Sequence, residues 1–164
     1  MLKPPPPQKR QKRKLGKIVK IELGEGKAAL GLVLAEPLVA FFDKQFNSAE
    51  ATPESFSDLK VAFTLMVMSH AITSGRWLVI GDIDVPDTLK IAPKFCKEDL
   101  ASGELSIYQE VPELAPHYER PAKPDECNGL EAAAVWEPQH VEDRLRDHFA
   151  GVANKWVQQL GRRT

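Results

Sequence analysis

Lys17-Ile18-Val19-Lys20-Ile21-Glu22-Leu23, then Gly24-Glu25-Gly26, then Lys27-Ala28-Ala29-Leu30-Gly31-Leu32-Val33-Leu34: this run decides the fold class. Val19, Ile21 and Leu23 alternate with Lys20 and Glu22, which is the period-two pattern of a strand with one buried face. Two glycines around Glu25 provide a tight turn, and the apolar run that follows returns as a second strand. The segment therefore predicts a β-hairpin. A third strand is expected at residues 38–43, after Pro37, because Leu38-Val39-Ala40-Phe41-Phe42 is rich in β-forming side chains.

Outward from this hairpin the same reasoning adds strands at residues 61–69, 76–80, 104–109 and 130–136. Thr52-Pro53-Glu54 combines a cap with a first-turn proline and predicts a short helix before residue 61. Residues 82–94, with Pro86 and Pro93 among charges, read mainly as loop, and a long loop is expected between Val111 and Asn128. Glu137-Pro138 opens a helix with Val141, Leu145, Phe149 and Val152 on one face and Glu142, Asp143, Arg146 and Asp147 directed elsewhere. Gly151 is placed to end it, and a second short helix is expected over residues 154–160, ended by Gly161. The expected fold is mostly β within an α+β plan. It is a curled antiparallel sheet or partial barrel of about seven strands with C-terminal helices packed on it.

The chain has 164 residues, enough for one domain with its own core. Hydrophobic residues at 43% and charged residues at 27% are ordinary for globular proteins and argue against both disorder and a membrane protein. No apolar run reaches the roughly 18 to 20 residues of a membrane helix. A secretory signal is not expected, since the basic start through Lys14 is not followed by the apolar h-region such a signal needs. Cys96 and Cys127 are too few for a disulfide scaffold and lack the close spacing of zinc or redox motifs, so a reducing cytoplasm is the expected location.

Charge is unevenly distributed. Lys3, Lys9, Arg10, Lys12, Arg13 and Lys14 lie in the first fourteen residues beside Pro4 to Pro7, and removing these six cations from a net charge of −1 leaves −7 for residues 15–164. Residues 1–14 are expected to form a flexible basic, proline-rich arm, and residues 15–164 a single domain. An acidic body repels nucleic acid and attracts a basic protein.

No chemistry-bearing motif is apparent. Gly24-Glu25-Gly26 leads into a strand, so it lacks the helix N-terminus of a phosphate loop. Asp82-Ile83-Asp84 offers two carboxylates without the ligand pattern of a calcium site. His70, His117, His140 and His148 are dispersed, no serine sits in a nucleophile elbow, and neither cysteine has a histidine beside it in sequence. The expectation is a binding protein rather than an enzyme, with no cofactor and no metal. Candidate partner-binding residues are Asp82, Asp84 and Asp87 in one polar loop and Glu98, Asp99 and Glu104 in the next, which the fold could bring to one end of the sheet.

Several segments in order carry a family likeness. They are Lys14-Leu15-Gly16-Lys17-Ile18-Val19-Lys20-Ile21, the turn after Leu23, Leu34, and Ala40-Phe41-Phe42-Asp43. Ser74-Gly75-Arg76-Trp77 with Val79-Ile80-Gly81 follows, and then Gly129-Leu130-Glu131-Ala132-Ala133-Ala134-Val135-Trp136-Glu137-Pro138 leading into Val141-Glu142-Asp143-Arg144-Leu145. Across roughly residues 14–150 this succession resembles the immunity protein 26 family of bacterial polymorphic toxin systems. The resemblance implies a mostly β domain that protects its producing cell by binding and neutralising a cognate toxin, often a nuclease, encoded by the adjacent gene. It carries over no catalytic residue. Gly75, Trp77, Gly129 and Trp136 are the family-like positions expected to be structural. The competing reading is a small β-barrel adaptor that binds nucleic acid or peptide with help from the basic arm.

Overall fold

The computed structural model describes residues 9–50, 55–56, 58–110 and 118–160. A seven-stranded sheet contains β1 (Lys17–Gly24), β2 (Lys27–Val33), β3 (Leu38–Phe42), β4 (Phe46–Asn47), β5 (Val61–Val67), β6 (Leu78–Asp82) and β11 (Val135–Trp136). The spatial order is β11-β5-β3-β2-β1-β6, with β4 also paired to β2. A separate four-stranded sheet has the order β10-β7-β8-β9, formed by β7 (Phe95–Glu98), β8 (Leu105–Gln109), β9 (Tyr118–Ala122) and β10 (Glu131–Ala132). Helices α1 (His70–Thr73), α2 (Asp87–Lys90), α3 (Pro138–Ala150) and α4 (Lys155–Leu160) complete the described elements, with a 3-10 turn at Pro124–Cys127.

The C-terminal helices pack as the sequence predicts, but the single curled antiparallel sheet is replaced by two mixed sheets. Among the described residues no closed barrel or curled sheet is present. The large sheet ends at β6 on one side and β11 on the other, so its edges are not joined. The short strands β11 and β10 enter parallel, against β5 and β7 respectively, which makes both sheets mixed.

The reason for two sheets lies in the pleat. Val19, Ile21, Val39, Phe41, Phe63 and Leu65 point to one face, where Trp77, Trp136 and the α3 residues Val141 and Leu145 cover them. Ile18, Leu30, Leu32, Leu38, Ala40 and Phe42 point to the other, against Phe95 of the small sheet and Leu89 of α2. Alternation along β1 looks like one buried face only because Lys20 and Glu22 stand among the apolar side chains; β2 and β3 are buried almost throughout. A sheet sealed on both faces needs a layer on each side. The helices form one layer and the small sheet with α2 forms the other.

Four local expectations are amended, and a fifth falls outside the described residues. The short helix expected from Thr52-Pro53-Glu54 lies outside the described residues. Strand β9 and the 3-10 turn occupy part of the predicted long loop, and α2 interrupts the predicted loop at 82–94. On α3, Glu142 faces inward and is only 8% exposed, whereas Val152, beyond Gly151, is exposed. Glu142 is drawn in by donors: the Trp77 indole N–H (2.9 Å) and two guanidinium N–H groups of Arg76 (2.8 Å each).

The arm also changes at its inner end. Gln11 donates its side-chain amide N–H to the carbonyls of Ile72 (3.0 Å) and Trp77, and its side-chain oxygen accepts from the amide of Val79 at 3.0 Å. Arg13 donates to the carbonyls of Leu34 (2.9 Å) and Leu38 (2.8 Å). Residues 11–13 are thus tied to the body that was expected to begin at residue 15. Backbone groups at the ends of strands need partners, and these two side chains supply them.

Candidate functional site

Among the described residues, two clefts stand out. The first, about 800 Å³, lies where the chain enters β1 and leaves β6. Gly16 builds it: its amide donates to Val33 (2.9 Å) and its carbonyl accepts from Ile83 (2.9 Å). Its φ of +89° is one that a side chain rarely adopts, and a Cβ there would sit 2.6 Å from the Ile83 carbonyl oxygen. The junction therefore demands glycine. Leu34, Leu38, Ile83 and Leu89 give the cleft an apolar floor, Leu15 stands 59% exposed on its rim, and Glu36, Asp84 and Glu110 bring carboxylates to it.

The second cleft, about 830 Å³, lies between the β7–β8 hairpin, the 127–136 segment and α4. Its lining includes Glu98, Asp99, Leu100, Leu130, Val157 and Leu160. Asp99 shapes the hairpin tip by accepting from the amides of Ala101 (2.9 Å) and Ser102 (2.8 Å). Backbone N–H groups of Ser102 and Ala101 hold its carboxyl below the ordinary carboxylate range, with a further contribution from the Ser102 hydroxyl.

The six candidate partner-binding residues are thus divided between two places. Asp84 lines the first cleft, beside Asp82, which pairs with Lys17 at 3.0 Å, and Asp87, which pairs with Lys90 at 2.8 Å. Glu98 and Asp99 line the second, and Glu104 closes the hairpin there, its carbonyl accepting from the Asp99 amide at 2.9 Å. The two acidic stretches do not share one cleft. Glu36 and Glu110, absent from the sequence-based candidates, are brought to the first cleft by tertiary structure. Asp84 was the one residue of that place legible as a candidate in the sequence.

Trp77 is fully buried, edge-on to Phe41 with ring centroids 5.6 Å apart, and Trp136 is 5% exposed. Gly75 and Gly129 take φ values of +84° and +77°. Arg144 lies 4.0 Å from the Phe63 ring centroid and donates twice to Glu131, at 2.5 and 3.0 Å, joining α3 to β10. His140 stacks on Trp156 with ring centroids 3.6 Å apart, and His148 meets Asp43 at 2.7 Å. These groups serve packing. Among the described residues no three His, Cys, Asp or Glu side chains are grouped to hold a metal ion, and no helix is long and apolar enough to cross a membrane.

Cys96 on β7 and Cys127 in the 3-10 turn, too few for a disulfide scaffold, form one disulfide, with Cα atoms 5.4 Å apart. Both line the second cleft.

A family model described as immunity protein 26, Imm26, matches residues 14–106. The chain belongs to the immunity protein 26 family. The matched segment takes in β1 to β7, the first two residues of β8 and, apart from Glu110, the lining of the first cleft. Gly129, Trp136 and α3, part of the resemblance read from the sequence, lie beyond it. No curated protein and no solved structure matches the chain.

Proposed function

We propose that this member of the immunity protein 26 family binds a cognate bacterial toxin, encoded by the adjacent gene, and neutralises it by tight protein–protein contact without chemistry of its own. Family membership over residues 14–106 carries this reading. The charge distribution supports a basic toxin, such as a nuclease. A protein that holds phosphates needs cationic side chains, and a body of net charge −7 meets them with a complementary field that speeds encounter. The exposed carboxylates beside apolar clefts supply the polar rim and apolar centre that a specific interface combines.

The same reading places the protein in the cytoplasm of the producing cell, where a nuclease has its substrate. In that reducing compartment Cys96 and Cys127 would be kept as thiols, with the bond forming on oxidation. Alkylating thiols in freshly lysed cells, followed by mass measurement, reads their state directly.

Co-expression tests the function. Cells expressing the toxin domain of the adjacent gene should die alone and grow when the full chain is present. A catalytically inactivated toxin domain should co-purify with the chain at a Kd on the order of 10⁻⁹ M or lower. Growth arrest despite normal levels of folded protein, with no complex, overturns the proposal.

A further inference from the structure

We propose that the Gly16 cleft is the toxin-docking site, and that its occupant is a segment of a basic protein. That segment seats an apolar side chain against Leu15, Ile83 and Leu89 and sets lysine or arginine against Glu36 and Asp84. The inference rests on the immunity reading and adds to it the surface and the chemistry of the partner.

Both linings carry three carboxylates and one ammonium, and the clefts differ in how these are engaged. In the first, Lys90 is held by Asp87 at 2.8 Å and Glu110 accepts from the Tyr108 hydroxyl at 2.7 Å. Asp84 has no ion pair or side-chain hydrogen bond among the described residues, and Glu36 projects from an exposed loop position. The half-buried Arg13 interacts with Glu36 electrostatically, but its guanidinium is spent on the carbonyls of Leu34 and Leu38. Carboxylates are therefore left to face a partner. In the second cleft Glu131 is already neutralised by two bonds from Arg144, Asp99 accepts from the amides of Ala101 and Ser102, and Lys97 pairs with Glu119 at 3.3 Å.

Apolar surface and rigidity point the same way. Leu15 is a large apolar side chain left 59% exposed at the rim, next to a floor whose Leu34 and Leu38 are nearly closed to solvent. The walls are tied by backbone hydrogen bonds: Gly16 to Val33 and Ile83, and Leu34 to Leu38 at 3.0 Å. A preformed site loses little conformational freedom on binding, so more of the contact energy appears as affinity. An apolar anchor ringed by charges is the arrangement in which a few residues dominate binding. The cleft also falls, apart from Glu110, inside the segment shared with the family, whereas much of the second cleft lies after residue 106.

The experiment measures association of the full chain with the inactivated toxin domain of the adjacent gene, by stopped-flow kinetics and equilibrium titration. Glu36→Lys with Asp84→Lys should slow association about tenfold at low salt and lose most of that difference at high salt. Leu15→Asp should weaken Kd about a hundredfold, mainly by faster dissociation. Leu100→Asp and Glu104→Lys, at the second cleft, should bind as the parent does. Thermal melting confirms the fold of each variant; if the charge reversals lower the melting temperature, Glu36→Gln with Asp84→Asn replaces them and should still slow association. Parent-like binding by the first-cleft variants, or loss of binding by the second-cleft variants alone, overturns the docking site and leaves the immunity reading intact. A parent chain that fails to bind the toxin domain overturns both.

Discussion

The large sheet and the small sheet are held together by different means. Among the described residues, the large sheet is flanked by sixteen buried apolar side chains on one face and by ten, Phe95 of the small sheet included, on the other. The small sheet's outer face rests on three buried residues, Cys96, Ile107 and Cys127, two of which form the disulfide. Its strand β9 is largely exposed. Burial of apolar surface is enough for the first; the second has a small core, to which the Cys96–Cys127 bond adds a restraint when it is formed. The difference bears on function: the first cleft is lined mainly by segments that enter or leave strands of the large sheet and by α2, and the second mainly by elements the disulfide restrains.

The largest effect should come from the large sheet. Trp77→Ala removes a fully buried side chain, its edge contact with Phe41, and the indole donor to Glu142. A loss of about 3 to 5 kcal/mol is expected in denaturant unfolding, with both sheets melting together. Parent-like stability would show that the large sheet does not depend on this packing and would remove one side of the comparison.

A smaller loss, about 2 to 4 kcal/mol, should follow from Cys96→Ser with Cys127→Ser, since the bond closes a separation of 31 residues in the unfolded chain. Hydrogen exchange gives the sharper reading. Amides of β7, β8 and β10 should lose protection while those of β1, β2 and β3 keep it. Equal loss in both sheets would mean that they unfold as one unit.

Next comes the N-terminal tie. Gln11→Ala should cost about 1 to 2 kcal/mol, because it leaves the Val79 amide and the Trp77 carbonyl without this partner. Deleting residues 1–14 should therefore lower the melting temperature by a few degrees, where an arm without contacts would leave it unchanged. A deletion with no effect would show that β6 is held by β1 alone.

The smallest effect is confined to alkaline pH. Burial, then the hydrogen bond to Glu110 and the nearby charges of Glu110 and Glu119, push the Tyr108 phenol up to about 12. Its folded value lies above the unfolded value of about 10. The stabilisation is thus complete below pH 10 and is lost as pH rises from 10 towards 12. Tyr108→Phe should flatten the stability profile in that window, as followed by thermal melts. Because Glu110 lines the first cleft, the same variant tests whether the small sheet helps to set that cleft.

Strands β1 to β3 and helix α3 were legible because dense apolar periodicity is a local signal. The weaker elements were not. Lys97 and Glu98 in β7 and Tyr-Glu-Arg-Pro-Ala in β9 carry too little apolar pattern to mark a strand before β8 pairs with both. Glu142 looked solvent-facing because helical spacing counts its charge and cannot count the Trp77 and Arg76 donors, more than sixty residues away in the chain. The candidate surface was half legible: Asp84 could be read as an exposed acid, but its meeting with Glu36 and Glu110 depends on three separate loops.

By itself the sequence determined a β-rich body, its C-terminal helices, its acidic character and its family likeness, because periodicity, composition and motif order are properties of neighbouring residues. Tertiary structure alone decided the division into two sheets, the burial of both faces of the larger one, the Cys96–Cys127 bond, the docking of Gln11 and Arg13, and the grouping of carboxylates at Gly16. Each of these joins residues distant in the chain, and such pairings are selected by the packing of the whole molecule, where burying apolar surface and satisfying every backbone donor and acceptor must be achieved together.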